Sequence, residues 1–242
     1  MSGTVEFATF IQHLPSEVLP YSVELWEAAE DSGVDPWHLV AILWRESMAG
    51  GAPGYRPLHD PAGTGDFIAR RPGTVYRQPS GKFYKVPDGG MPGDGGGWGR
   101  GLMQIDFGVH NEWVRTGKWK EPKASFEYAA GLLSGYRRYF STPAPRALLK
   151  IDEWRVTNGI PKYGIQAWAT LYPWVNHTNA LRSDPRPLAG GALDRAALAA
   201  YNAGTSGVLQ AVAYGIPAEA ATSGQDYVTW CEKRIAQWQA PL

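Results

Sequence analysis

The stretch DPWHLVAILWRES, residues 35–47, constrains the fold of this chain more than any other. Asp35 is a preferred N-cap and Pro36 suits the first helical position, so a helix is expected to begin there. Leu39, Ile42, Leu43 and Glu46 fall at i, i+3, i+4 and i+7, which is one face of that helix, while Arg45 points elsewhere. The apolar face must be buried, and it carries a carboxylate. Glu46 is then either a surface group at a frayed end, the commoner case, or an acid whose proton is held by desolvation.

The rest of the chain falls into helical blocks separated by two irregular segments. Residues 16–33, SEVLPYSVELWEAAEDSG, read as a helix stopped at Gly33. Residues 49–97 are rich in Gly and Pro, and within them GTVYRQPSGKFYKV alternates around PSG, which predicts a small β-hairpin. In ASFEYAAGLLSGYRRYF, residues Phe126, Ala129, Ala130, Leu133, Tyr136 and Phe140 keep helical spacing. A second irregular insertion covers 141–193, with a short helix expected around YGIQAWATLY. The remainder predicts helices in DRAALAAYNAG, closed by Gly204, in SGVLQAVAYG, closed by Gly215, and in SGQDYVTWCEKRIAQWQ. The expected class is mostly α (α+β), a single domain over residues 1–242 with β structure confined mainly to the first insertion.

Several functional classes fit poorly. Lys plus Arg equals Asp plus Glu at 23 each, and a chain whose main affinity is for nucleic acid usually carries a basic surplus. The lone Cys231 excludes an intrachain disulfide and a cysteine zinc site, and a packed thiol is expected. The five histidines form no HxxxH or HExxH pair, so no metal is expected. The run GDGGGWGRG follows no predicted strand and lacks the Gly-Lys-Ser/Thr ending of a phosphate loop. No Gly-x-Ser-x-Gly elbow is present. No run of 18 apolar residues predicts a transmembrane span, and MSGTVEFATFIQHLP lacks the charge and apolar run of a secretory signal.

Three short motifs remain, in the order WRES, GRGLMQID and AAYNAG, followed by SGQDYV. In this series they resemble the goose-type lysozyme and soluble lytic transglycosylase group of peptidoglycan-cleaving enzymes. The matching residues are Glu46 and Ser47, Gly101-Leu102-Met103-Gln104-Ile105-Asp106, Ala200-Tyr201-Asn202-Ala203-Gly204 and Gln225-Asp226-Tyr227. The resemblance covers about half the chain and leaves both insertions without a counterpart. It implies a lysozyme-like helical domain that cuts the β-1,4 link between N-acetylmuramic acid and N-acetylglucosamine, with no cofactor. Glu46 would be the catalytic acid, a role that needs a proton retained near neutral pH, as an apolar wall provides by raising a Glu pKa toward ~6. Ser47, Gly101, Leu102, Met103 and Gln104 would line the sugar groove beside it. Tyr201 and Asn202 would lie across from the acid and Tyr227 would support it, although the two tyrosines equally suit core packing. Trp98 is a candidate stacking platform or a loop anchor.

An inverting hydrolase needs a second carboxylate ~6.5–9.5 Å from the acid, for which Asp106 and Asp94 are candidates. A lytic transglycosylase needs none, because the sugar's acetamido group and 6-hydroxyl take over. The two aspartates lean toward the hydrolase. The expected partner is peptidoglycan glycan strands. The expected setting is a lysin released through a separate pore, or a component of a phage particle or secretion assembly. Other classes stay open: a non-catalytic glycan-binding or structural module, and a chitinase-like activity.

Overall fold

Asp35 caps its helix as its position in the chain predicts, the side-chain carboxylate accepting from Trp37 N–H at 2.9 Å. The computed structural model describes residues 6–51, 75–77, 83–85, 99–144, 148–149, 182–222 and 224–240. Most of these are helical. The helices are α1 (Phe7–Gln12), α2 (Ser22–Ser32), α3 (Pro36–Ser47), α4 (Asn111–Arg115), α5 (Pro122–Ser141), α6 (Gly190–Ala203), α7 (Thr205–Ala213) and α8 (Tyr227–Trp238), and short 3-10 turns accompany them. Three two-stranded antiparallel ribbons accompany them: β1 (Val75–Arg77) with β2 (Phe83–Lys85), β3 (Gly99–Arg100) with β4 (Ile105–Asp106), and β5 (Leu148–Leu149) with β6 (Arg182–Ser183). The first ribbon is the hairpin expected around PSG, with Tyr76 opposite Tyr84. The expected helix around YGIQAWATLY lies outside the described residues.

The chain divides into two compact units, residues Met1–Gly131 with Arg234–Leu242, and residues Leu132–Lys233. The division falls within α5 and within α8.

In the first unit α2 packs on α3. Gly33, at φ 65°, turns the chain between them, and its N–H bonds back to Glu30. Helix α3 is more deeply buried than a one-sided stripe requires: Trp37 and all of Leu39, Val40, Ala41, Ile42 and Leu43 lie in the core. Aromatic rings close over it. Phe10 of α1 meets Trp37 edge-on with centroids 4.9 Å apart, and Trp238 of α8 stacks on Trp37 at 6.5 Å and meets Trp44 edge-on at 5.9 Å. Phe126, Ala129 and Ala130 of α5 are buried as their spacing predicts. In the second unit Leu133 and Phe140 of the same helix are buried and Tyr136 is half-buried.

The second unit is built on small side chains. Ala196, Ala197, Leu198, Ala199 and Ala200 of α6 are buried and pack on α7 and on the 3-10 turn Ala218–Ala221. Glu219 ties this turn to α6 and α8: it accepts from Arg195 Nη2 at 3.3 Å and from Thr229 N and Oγ1 at 2.8 and 2.6 Å. Cys231 is buried among these helices. Among the described residues no helix is long and apolar enough to cross a membrane.

Removing the α3 core should cost far more than removing its cap. Ile42→Ala is expected to lower stability by about 2–5 kcal/mol, and Asp35→Ala by about 1 kcal/mol, with Asp35→Asn close to neutral. Urea midpoints of the three variants check this order.

Candidate functional site

Glu46 lies in the last turn of α3, where the helix emerges from the core. Trp37 and residues 39–43 before it in the helix are buried, and Trp44, Arg45 and Glu46 are each half-buried. It is therefore neither a fully exposed end group nor an enclosed one.

The turn after Glu46 is locked from inside. Ser47 is fully buried, and its hydroxyl donates to Leu43 O at 3.2 Å while accepting from Gly50 N–H at 3.2 Å. Met48 (φ 49°, ψ 46°), Ala49 (φ 54°, ψ 33°) and Gly50 (φ 89°) follow in succession with positive φ. For an L-residue other than glycine the left-handed region costs roughly 1–2 kcal/mol, so Met48 and Ala49 are held there against their preference. The Met48 N–H bonds to Leu43 O and Trp44 O, which closes the helix end beneath Glu46.

The GLMQ segment is the four-residue loop of the β3–β4 ribbon, in which Gly99 pairs with Asp106 and Arg100 with Ile105. Gly101 has φ 69°, and a Cβ placed on it would lie 2.4 Å from the Trp119 carbonyl oxygen. Only glycine fits. Gln104, at φ 48°, closes the loop twice onto Gly101 O, through its backbone N–H at 3.1 Å and its Nε2 at 2.8 Å. The Gln104 Oε1 is buried with no hydrogen-bond partner among the described residues. Met103 is fully buried and Leu102 is half-buried. Met103 thus belongs to the core.

Asp106 is exposed, and its Oδ1 accepts from Gly108 N–H at 2.6 Å and Val109 N–H at 3.1 Å. The carboxylate thereby shapes the turn that leads to His110. That imidazole bonds through Nδ1 to the Tyr128 hydroxyl at 3.0 Å. Burial holds the His110 pKa below its ordinary 6.5, with the Asp106 charge pulling the other way, and burial pushes the Tyr128 phenol up. Tyr128 stacks on Trp113 with centroids 4.0 Å apart. Beside them Arg100 is almost fully buried, its guanidinium 5.4 Å from the Phe107 ring and 5.9 Å from that of Trp119. Sequence reading missed this aromatic and cationic surround. The one signal was the density of Phe107, His110, Trp113 and Trp119 just after GLMQID.

Glu46, Ser47, the Gly101–Gln104 loop and Asp106 all belong to the first unit, and Tyr201, Asn202 and Tyr227 to the second. Tyr201 and Asn202 are half-buried in the last turn of α6, which ends at Gly204 (φ 75°). Tyr227 opens α8 and is buried, so its side chain belongs to the core. Ser47 likewise serves the turn from the interior. Asp94 and Trp98 lie outside the described residues. Among the described residues no group of three His, Cys, Asp or Glu is arranged to hold a metal ion.

Gly101→Ala should destabilise the first unit by well over about 1 kcal/mol, since it combines positive φ with backbone overlap. An unchanged denaturation midpoint would contradict the close approach to Trp119. His110 favours the neutral form in the folded state. Its contribution is fully present above pH 6.5 and is lost as pH falls below that value, where the unfolded chain takes up the proton more readily. His110→Gln should therefore narrow the gap between urea midpoints at about pH 7.5 and about pH 5. An equal gap in both proteins would show that His110 is not held neutral. No protein-family model matches this sequence, and no curated protein matches it.

Proposed function

We propose that this protein is a peptidoglycan-cleaving glycosidase with a lysozyme-like fold, in which Glu46 is the general acid at the β-1,4 bond between N-acetylmuramic acid and N-acetylglucosamine. The observation that carries the reading is a half-buried carboxylate in the last turn of a helix whose middle is buried, followed by a locked left-handed turn. A general acid must be held within a narrow geometry by a rigid support, and α3 with its Ser47 turn is such a support. The order of WRES, GLMQ and AYNAG along the chain supplies the substrate class by resemblance.

The GLMQ loop supports the same reading. Its backbone is pinned by Gly101 and Gln104, so its N–H and C=O groups are presented in a fixed array. Asp106 is the described candidate for a water-activating base. Two backbone N–H groups hold its Oδ1, which fixes the carboxylate in the turn after the loop. In the hydrolase Glu46 protonates the leaving oxygen and Asp106 takes the water proton. In the transglycosylase Glu46 acts first as acid and then as base.

Purified peptidoglycan digested with the protein and with Glu46→Gln tests the reading. The variant keeps shape and removes the acid, and its rate of product release is expected to fall far more than tenfold, well beyond ~1.4 kcal/mol in the barrier. Activity surviving within tenfold would sink the assignment. Mass spectrometry of the fragments separates the two reactions: reducing ends mark the hydrolase, and 1,6-anhydro ends, one water lighter, mark the transglycosylase and remove Asp106 from the chemistry.

A further inference from the structure

A pocket of about 470 Å³ opens on the first unit where α4, the 3-10 turn Lys118–Lys120 and the start of α5 meet. This volume suits a small ligand. Trp113 and Tyr128 form its aromatic wall as a stacked pair, their rings parallel to within 15° with centroids 4.0 Å apart, so that each ring covers one face of the other. Lys118, Glu121, Lys123 and Glu127 form the rim.

The wall is fixed before any ligand arrives. The Tyr128 hydroxyl is tied to His110, and the Trp119 indole N–H donates to Val114 O at 3.0 Å, which holds the end of α4. Such preorganisation lowers the ordering cost of binding. On the rim Lys123 is held by Glu27 at 2.8 Å.

The chemistry of the lining selects a ligand class. Two lysines and two glutamates cancel in charge, so a polyanion finds no cationic surplus here. A wholly apolar ligand would strip water from four charged groups without replacing it. A ligand with one flat C–H face and an edge of hydroxyls and amides meets both demands, since the face packs on the outer ring face that the stacked pair leaves uncovered and the edge forms charge-assisted hydrogen bonds with the rim. A sugar ring has this form.

We propose that this pocket is an accessory saccharide-binding site, which takes a segment of N-acetylhexosamine glycan on the Trp113–Tyr128 wall and between the Lys and Glu side chains of its rim. The saccharide class follows from the lining, whereas the choice of N-acetylhexosamine rests on the glycosidase reading above. Such a site would keep the enzyme on an insoluble strand between cleavage events.

The test uses the full chain carrying Glu46→Gln, so that the probe is not consumed, with labelled tryptophan indole groups. The probe is the tetrasaccharide of N-acetylglucosamine, and the Trp113 indole N–H resonance is assigned by its loss in Trp113→Phe. A saturable shift of that resonance is expected, with at least fivefold weaker half-saturation when Lys118→Ala and Glu121→Ala are added. These two exposed rim positions leave the aromatic wall intact. A Trp113 resonance unmoved by the probe, or rim substitutions without effect on the titration, would overturn the site. The two readings fail separately. Cleavage that depends on Glu46 with no Trp113 response leaves the glycosidase standing and removes this site. A Trp113 response in a protein that releases no fragments from peptidoglycan keeps the site and removes the glycosidase.

Discussion

The first unit depends on burying α3 on all sides. Residues 39–43 have no solvent face, and a helix apolar all round is stable only as the centre of a core. Each large side chain removed from water there contributes about 1.5–3 kcal/mol, so the helix can be displaced only at the expense of the unit. Every neighbour described for it follows from that requirement. Helix α2 lies against it, and Phe10 and Trp238 cover Trp37 from elements far apart in the sequence. Glu46 inherits a fixed position from this burial without itself being enclosed.

Strain collects just beyond Glu46. Two non-glycine residues in the left-handed region together cost several kcal/mol at most, and the hydrogen bonds of the buried Ser47 hydroxyl offset part of this at about 0.5–1.5 kcal/mol each. Ala49 adds its own burial. The same pattern recurs at the GLMQ loop, where Gly101 meets a backbone contact no other residue allows and Gln104 takes a left-handed conformation to bond twice with it. Two of the segments suggested by the motif resemblance are places where the surroundings over-determine the chain.

The sequence was legible where a physical signal repeats or punctuates. Asp35-Pro36, Gly33 and the spacing of Phe126, Ala129, Ala130 and Leu133 each act through local geometry, and the corresponding helices form where those signals put them. The β1–β2 hairpin was readable from alternation around PSG. Helices α1 and α4, of six and five residues, were not, because so short a segment shows no period and is set by tertiary contacts such as Phe10 on Trp37. The two-residue strands around GLMQ gave no alternation to detect. At the site, residue type and order pointed to Glu46 and the loop, but not to which side chains face inward. The burial of Ser47, Met103 and Tyr227 depends on contacts that no local pattern encodes.

The stacking of Trp238 on Trp37 also bears on how the molecule is made. These rings come from positions about 200 residues apart, so the closing contact is among the most non-local a chain of this length can form. During synthesis the helices around α3 emerge early, yet the last ring that covers them leaves the ribosome only after the whole second unit. Until then the parts of Trp37 and Trp44 that Trp238 covers are open to non-native association. The aromatic cover of α3 is therefore completed by the segment that is translated last among those the first unit needs.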